Sequence, residues 1–130
     1  MDKLYEAAKK VLPNAYAGYS KLHVAAALKL KNGDIITGVN VENASFGLTN
    51  CAERTALFTA YTKGFRKEDI EEIVITTNKD DIISPCGACR QVMGELMEPH
   101  AKVHLISADG KKQSLENKDL LPFAFQKEDL

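Results

Sequence analysis

The chain of 130 residues has little cysteine, no excess of charge of either sign and no long apolar run. Its 17 lysine and arginine residues against 18 aspartate and glutamate residues give a formal net charge of −1, which offers no positive surplus to hold a phosphate backbone. No apolar run approaches the roughly 18 residues of a membrane span, and the first residues lack the basic and then apolar pattern of a signal peptide. We therefore expect a cytoplasmic protein that takes a small, nearly neutral ligand and binds neither nucleic acid nor a membrane.

The cysteine count is three, an odd number that does not suit a disulfide framework because one cysteine would stay unpaired. A chain of this length buries roughly two-thirds of the surface that its unfolded state exposes, so it needs neither a disulfide nor a metal merely to fold. We therefore expect thiols or metal ligands, and any metal site is a candidate for function.

The spacing of apolar residues predicts a helix, a β-hairpin and then strands that alternate with helices. The first helix ends at Pro13, and Asn32-Gly33 is typical of a hairpin turn. The predicted elements are a helix over 4–12, strands over 22–30 and 35–39, a helix over 51–61, a strand over 73–75, a helix over 86–97, a strand over 103–107 and a weakly paired segment near Gln113. This order implies one α/β domain over residues 1–130, in which a mixed sheet carries helices on its faces in three layers.

All three cysteines lie at two predicted helix starts, in Cys51-Ala52-Glu53 and in Pro85-Cys86-Gly87-Ala88-Cys89. A helix N-terminus favours the thiolate, which is the form that binds zinc, and the spacing of Cys86 and Cys89 puts both sulfurs on one side of a helix. Three protein ligands leave a fourth position open to water, as in catalytic zinc sites. Glu53 lies close enough to exchange protons with such a water, so the pattern indicates a hydrolytic zinc site.

Two other interpretations remain open at this point. Free cysteines are often small core residues, and Cys51 alone fits that description. The Cys-x-x-Cys pair at a helix start is also typical of redox modules, which use the same helix dipole. Neither interpretation explains Glu53.

Four sequence blocks resemble the cytidine deaminases of the small, homotetrameric, nucleoside-deaminating family, and the resemblance covers most of the chain. The blocks are Ala17-Gly18-Tyr19-Ser20-Lys21, Gly38 to Phe46, Cys51 to Ala56 and Ser84 to Gln91. The resemblance implies the three-layer α-β-α fold of that family, with a mixed five-stranded sheet. It also implies one Zn²⁺ per chain on Cys51, Cys86 and Cys89, with Glu53 as the general acid and base.

The resemblance further implies a nucleoside pocket. Asn40 and Glu42 are expected to bind the ribose 3′-hydroxyl, and the backbone of Ala52 is expected to contact the amide edge of cytosine. Arg54 is expected to donate to the sulfurs and to offset part of the charge of three thiolates. Phe125 matches the aromatic residue with which a neighbouring subunit closes the pocket in a homotetramer.

The sequence also departs from the family, because Leu22 stands where most members have a phenylalanine that stacks on the pyrimidine. Leucine gives an apolar contact without the ring-on-ring geometry, a loss of roughly 1 kcal/mol. The expected function is hydrolytic deamination of cytidine and deoxycytidine in pyrimidine salvage. The alternatives are a deaminase of a modified cytosine nucleoside such as blasticidin S, an editing deaminase, which the net charge of −1 does not favour, and a zinc-binding module without catalysis.

Overall fold

The computed structural model describes residues 2–130 and contains three α-helices and one five-stranded sheet. In chain order the elements are α1 (Asp2–Val11), β1 (Val24–Leu30), β2 (Ile35–Val39), α2 (Ala52–Thr62), β3 (Ile70–Thr77), α3 (Gly87–Leu96), β4 (Lys102–Ile106) and β5 (Lys112–Glu116). The strand order across the sheet is β2-β1-β3-β4-β5. Strands β3 and β4 are parallel and the other neighbours are antiparallel, which confirms the predicted mixed sheet.

The helices lie on both faces of the sheet, as the sequence predicts. On one face α2 and α3 pack on alternate residues of the central strands, such as Leu28, Ile73 and Val103. On the other face α1 packs on the intervening residues, such as Ala27 and Val74. Because both faces of β1 and β3 are covered, six of the seven residues of β1 are apolar, and the centre of β3 is the continuous apolar run Ile73-Val74-Ile75.

The β-hairpin and the ends of the helices follow the expected turn chemistry, with one shift of boundary. Gly33 has φ +93° in the turn between β1 and β2, and Gly64 has φ +95° just after α2. The third helix begins later than Ser84 and Pro85 predict, because Cys86 takes the N-cap position with an extended backbone. The first helical bond runs from the Arg90 N–H to the Cys86 carbonyl, at 2.9 Å.

Strand β1 begins at Val24 and not at residue 22, and strand β3 extends to both sides of the predicted 73–75. The two residues before Val24 are held mainly by asparagine side chains that follow the neighbouring strands, as described below. The connections from β2 to α2 and from β3 to α3 bring the first residues of these two helices together on the same face of the sheet. Among residues 2–130, no helix combines the length and the apolar character that crossing a bilayer requires.

Candidate active site

Three cysteine sulfurs meet where α2 and α3 begin. The sulfurs of Cys51, Cys86 and Cys89 all lie within 4.8 Å of one another. Cys51 and Cys86 are the N-cap residues of α2 and α3, and neither makes a side-chain capping bond. Their sulfurs are thus placed beside helix ends whose free N–H groups and dipoles favour negative charge.

This sulfur cluster fits a zinc ion. The Sγ atoms of Cys51 and Cys86 are 3.7 Å apart, and two thiolates bound tetrahedrally to zinc at about 2.3 Å lie about 3.8 Å apart. In the part of the chain that the structure describes, three side chains make up the group, one fewer than the four that usually close a structural zinc site. The donor set therefore suits a zinc site with one open position.

Arg54 lies against the cluster, as the sequence predicts. Its Nη2 donates to the Cys51 sulfur at 3.3 Å. Contact with the Cys89 thiol, followed by the Arg54 guanidinium, lowers the pKa of Cys51 well below its ordinary value despite partial burial. A positive charge here offsets part of the excess negative charge that three thiolates bring to a divalent ion.

Glu53 lies in the first turn of α2 and is 4% exposed. Burial raises the pKa of Glu53 to about 7; its own backbone N–H opposes the rise, and the charge of Cys51 adds to it. A buried carboxyl group thus lies two residues after Cys51, in the first turn of α2.

Asn40 and Glu42 follow β2 on an extended segment, and both are buried, with 7% exposure each. The Asn40 Oδ1 accepts from the Val24 N–H and its Nδ2 donates to the Leu22 carbonyl, both at 2.8 Å. Among the described contacts, this leaves one amide hydrogen of Asn40 for another acceptor.

The Glu42 carboxylate is bound to the segment that precedes β1. Its Oε1 accepts from the backbone N–H groups of Tyr19 and Ser20, at 3.1 Å each, and its Oε2 accepts from the Ser20 hydroxyl. The Ser20 hydroxyl and the two N–H groups lower the pKa of Glu42. The carboxylate is therefore ionised and held in place, and about one of its four lone-pair sites remains for a ligand.

Comparison with known proteins identifies the family. Residues 1–117 match the family model described as the cytidine and deoxycytidylate deaminase zinc-binding region. The chain belongs to this family.

Relatives and solved structures agree with this assignment. A cytidine deaminase of Halalkalibacterium halodurans is 47% identical over 132 residues, which cover 100% of this chain and 98% of that protein. A crystal structure of a cytidine deaminase from Burkholderia pseudomallei is 48% identical, with a TM-score of 0.92 over 95% of this chain and 98% of that chain. One from Mycobacterium leprae is 36% identical, with a TM-score of 0.78 over 93% of this chain and 96% of that chain. These neighbours confirm the expected α/β fold of the cytidine deaminases.

Three further residues are expected to contact the substrate, and within a single chain they do not all lie beside the cysteine cluster. Ala52 is fully buried and Leu22 is half-buried. Phe125 is exposed and lines a cavity of about 560 Å³ beside the second half of α3, where the Gln91 amide donates to its carbonyl at 3.0 Å. The lining of that cavity includes neither Glu53 nor the cysteines, so the described contacts of one chain do not join Phe125 to the cluster.

Several residues whose hydrogen bonds support the site are not predicted from the sequence. Ser20 lies in a block that carries the resemblance, yet its bond to Glu42 was not predicted. Arg90, to which the sequence assigns no role, donates to the carbonyls of Pro85 at 2.7 Å and Leu120 at 2.8 Å, so it fixes the residue before Cys86. Asn78 was also missed, since it lies outside every motif.

Proposed function

We propose that this chain is a cytidine deaminase, a hydrolase that converts cytidine and deoxycytidine to uridine and deoxyuridine with release of ammonia. The observation that carries the proposal is the meeting of three cysteine sulfurs and a buried glutamate at two helix starts, in a chain that belongs to the zinc-binding deaminase family. In this proposal Cys51, Cys86 and Cys89 hold one zinc ion per chain, within a single domain over residues 1–130.

Zinc held by three protein ligands supplies a nucleophilic water near neutral pH. Glu53 takes a proton from the attacking water and delivers it to N3 of the cytosine ring, which makes C4 more electrophilic. After the oxygen has added to C4, Glu53 takes the remaining proton from the new C4 hydroxyl and transfers it to the exocyclic nitrogen. The C4–N bond then breaks, ammonia leaves and the uracil ring remains, so Glu53 ends the cycle ready to accept another proton.

The substrate is positioned by residues from other parts of the chain. Asn40 and Glu42 bind the ribose 3′-hydroxyl through the free amide hydrogen and the ionised carboxylate described above. The Ala52 backbone contacts the amide edge of the base, and its small side chain permits that approach. Leu22 gives the base an apolar contact. Arg54 donates to the Cys51 sulfur, so its positive charge offsets part of the negative charge that the thiolates bring to the bound metal.

The protein acts as a cytoplasmic homotetramer in pyrimidine salvage, with each pocket closed by Phe125 of a neighbouring subunit. Exposed apolar side chains on the segment between Glu42 and Cys51 support association, since Phe46 and Leu48 are 76% and 71% exposed in the isolated chain. The exposure of Phe125 and its separation from the cluster within one chain agree with a role in a neighbour's pocket.

The test is to incubate the purified, zinc-loaded protein with cytidine and to measure uridine and ammonia. Glu53→Gln should retain zinc and lose nearly all turnover, on the order of 10³-fold or more, because a neutral amide moves no proton. Glu95→Gln, which changes an exposed glutamate of α3, is the matched control and should remain active. An active Glu53→Gln enzyme would exclude Glu53 as the proton carrier.

A substrate panel separates the proposal from its nearest rival. The half-buried Leu22 keeps a deaminase of modified cytosine nucleosides as a second candidate, because leucine lacks the stacking ring. Blasticidin S and deoxycytidine are therefore assayed beside cytidine. A higher kcat/KM for blasticidin S than for cytidine would favour the rival, and zinc binding with no turnover of any of the three would favour a non-catalytic zinc module.

A further inference from the structure

The segment before β1 is held between two asparagines. Strand β1 lies between β2 and β3 in the sheet. Asn40 comes directly after the last residue of β2 and Asn78 directly after the last residue of β3. Both asparagines therefore stand at the same end of the sheet, one on each side of the chain that enters β1.

Asn78 makes three hydrogen bonds with this segment. Its backbone N–H donates to the His23 carbonyl at 3.2 Å, its Oδ1 accepts from the His23 N–H at 3.1 Å, and its Nδ2 donates to the Lys21 carbonyl at 3.0 Å. The side-chain amide thus extends the ladder between β1 and β3 beyond the last backbone pair, Val24 and Thr77.

Asn40 makes the same three bonds from the other side, one residue further along. Its N–H donates to the Val24 carbonyl at 3.2 Å, its Oδ1 accepts from the Val24 N–H, and its Nδ2 donates to the Leu22 carbonyl. Four consecutive residues, 21 to 24, are therefore fixed by alternate bonds to the two asparagines. We name this arrangement the asparagine clamp, formed by Asn40 and Asn78.

The chemistry of the clamp requires an amide at position 78. One side chain must accept from the His23 N–H and donate to the Lys21 carbonyl, and Asn carries both functions on one planar group. Aspartate would keep the acceptor and would place a second oxygen against the Lys21 carbonyl. Alanine would remove both bonds.

The segment has backbone geometry that needs such support. Lys21 has φ +64°, a left-handed conformation that residues other than glycine and asparagine seldom adopt. Such conformations persist where surrounding contacts over-determine them. The Ser20 hydroxyl, which donates to Glu42, also accepts from the Leu22 N–H at 3.0 Å, so the same segment connects Leu22 with the sugar-binding carboxylate.

We propose that Asn78 is a positioning residue for the nucleoside pocket, which fixes the backbone of Leu22 and the Tyr19–Ser20 contacts to Glu42. The proposal rests on the proposed deaminase function, because Leu22 and Glu42 are assigned there to the base and the sugar. Glu53 and the cysteines are held by α2 and α3 through other contacts. Asn78 therefore governs substrate affinity and leaves the chemical step nearly unchanged.

The test compares Asn78→Ala and Asn78→Asp with the wild type in steady-state kinetics on cytidine. We expect KM to rise about tenfold, as the loss of one or two hydrogen bonds to a binding segment would give, with kcat within about threefold and zinc content unchanged. Asn32→Ala is the matched control, because Asn32 also bonds a backbone N–H, that of Asp34 at 2.9 Å, in the turn at the opposite end of β1. It should leave KM unchanged.

Amide hydrogen exchange supplies a readout that does not depend on activity. The His23 amide should exchange faster in Asn78→Ala, which removes its acceptor, and stay closer to the wild type in Asn78→Asp, which keeps that acceptor. The Val24 amide, which bonds to Asn40, serves as an internal reference. Unchanged exchange at His23 in Asn78→Ala overturns the clamp. Faster exchange with an unchanged KM, or a fall in kcat as large as the rise in KM, overturns the positioning role. If the wild type itself does not deaminate cytidine, the proposed function fails, and the role of Asn78 in the pocket fails with it. The exchange rate of the His23 amide still decides whether Asn78 holds the segment before β1.

Discussion

At the scale of single residues, Glu42 shows how a buried carboxylate is kept ionised chiefly by hydrogen bonds. Its bonds come from one hydroxyl and two backbone N–H groups of the segment before β1. These donors favour the charged form and lower the pKa of Glu42 from its ordinary value of 4.5. A carboxyl group that is more acidic in the folded state stabilises the fold above its unfolded-state pKa and loses that contribution as the pH falls through its folded-state pKa.

The stability of the protein should therefore fall below about pH 4.5 partly through Glu42. We expect the free energy of unfolding of Glu42→Gln to depend less on pH than that of the wild type in this range, because the amide does not titrate. Urea unfolding at several pH values between 3 and 7 measures the difference. Ser20→Ala, which removes the hydroxyl donor and keeps the carboxylate, should give an intermediate dependence. Parallel curves for the wild type and Glu42→Gln would contradict the assignment.

Residue-level chemistry was the most predictable part of the site. Three cysteines at helix starts and Glu53 beside the first of them indicated a zinc site, and the sulfurs do come within 4.8 Å of one another. Asn78 could not be found in the same way, because its bonds depend on which strand lies beside β3, and a single sequence does not give strand order. The same limit applies to Ser20, whose partner Glu42 is 22 residues away in sequence.

At the scale of secondary structure elements, Gly38 of β2 allows the first turns of α2 to lie directly on the sheet. A Cβ atom at this position would lie 2.5 Å from the Ala56 nitrogen and 2.8 Å from the Ala52 oxygen, both backbone atoms. A backbone neighbour cannot move aside as a side chain can, so the helix itself would have to shift. The start of that helix carries Cys51 and Glu53.

We therefore expect Gly38→Ala to destabilise the protein by about 2 kcal/mol, the typical cost of overpacking, and to weaken zinc retention. Urea unfolding measures the first effect, and the zinc content after dialysis against a chelator measures the second. Gly94→Ala is the matched control, because a Cβ at that position of α3 meets nothing within 4 Å. It should be neutral or stabilising by up to about 1 kcal/mol, the difference in helix propensity. Full zinc retention in Gly38→Ala would show that the approach of α2 to β2 does not set the site.

Element boundaries were predicted less well than element types, and the errors have physical causes. Ser84 and Pro85 have the residue types of a helix start, yet Cys86 takes the N-cap position and leaves them in the preceding loop. The alternation over 22–30 includes residues 22 and 23, which are held mostly by asparagine side chains, so β1 begins only at Val24. In both cases the pattern ends where residues of the site begin.

At the scale of the whole molecule, the buried core extends well beyond the metal site, although Cys89 belongs to this core and Cys51 packs against it. The core between the sheet and α2 and α3 includes large side chains such as Leu57, Ile73 and Met93, and none of these is a metal ligand. Removal of zinc by a chelator should therefore abolish turnover and keep the far-UV circular dichroism near 25 °C. The melting temperature should fall by roughly 15 °C, because a tightly bound ion stabilises by about 4 kcal/mol at a thousandfold excess over its Kd. Loss of the folded signal on chelation would show instead that the metal is needed for folding.

The proposed homotetramer with shared pockets predicts that two defective variants restore each other. Glu53→Gln lacks the proton carrier, and Phe125→Ala lacks the aromatic residue that we assign to a neighbour's pocket. When the two are coexpressed in equal amounts, about a quarter of the sites should combine an intact Glu53 with an intact Phe125 from the adjacent subunit, if subunits assort at random in a symmetric assembly. The specific activity of the mixture should then exceed the mean of the two parents, and sedimentation should give four times the chain mass of 14.3 kDa. If Phe125 serves its own chain, no hybrid site is complete, and the mixture would show only the mean activity whatever its mass.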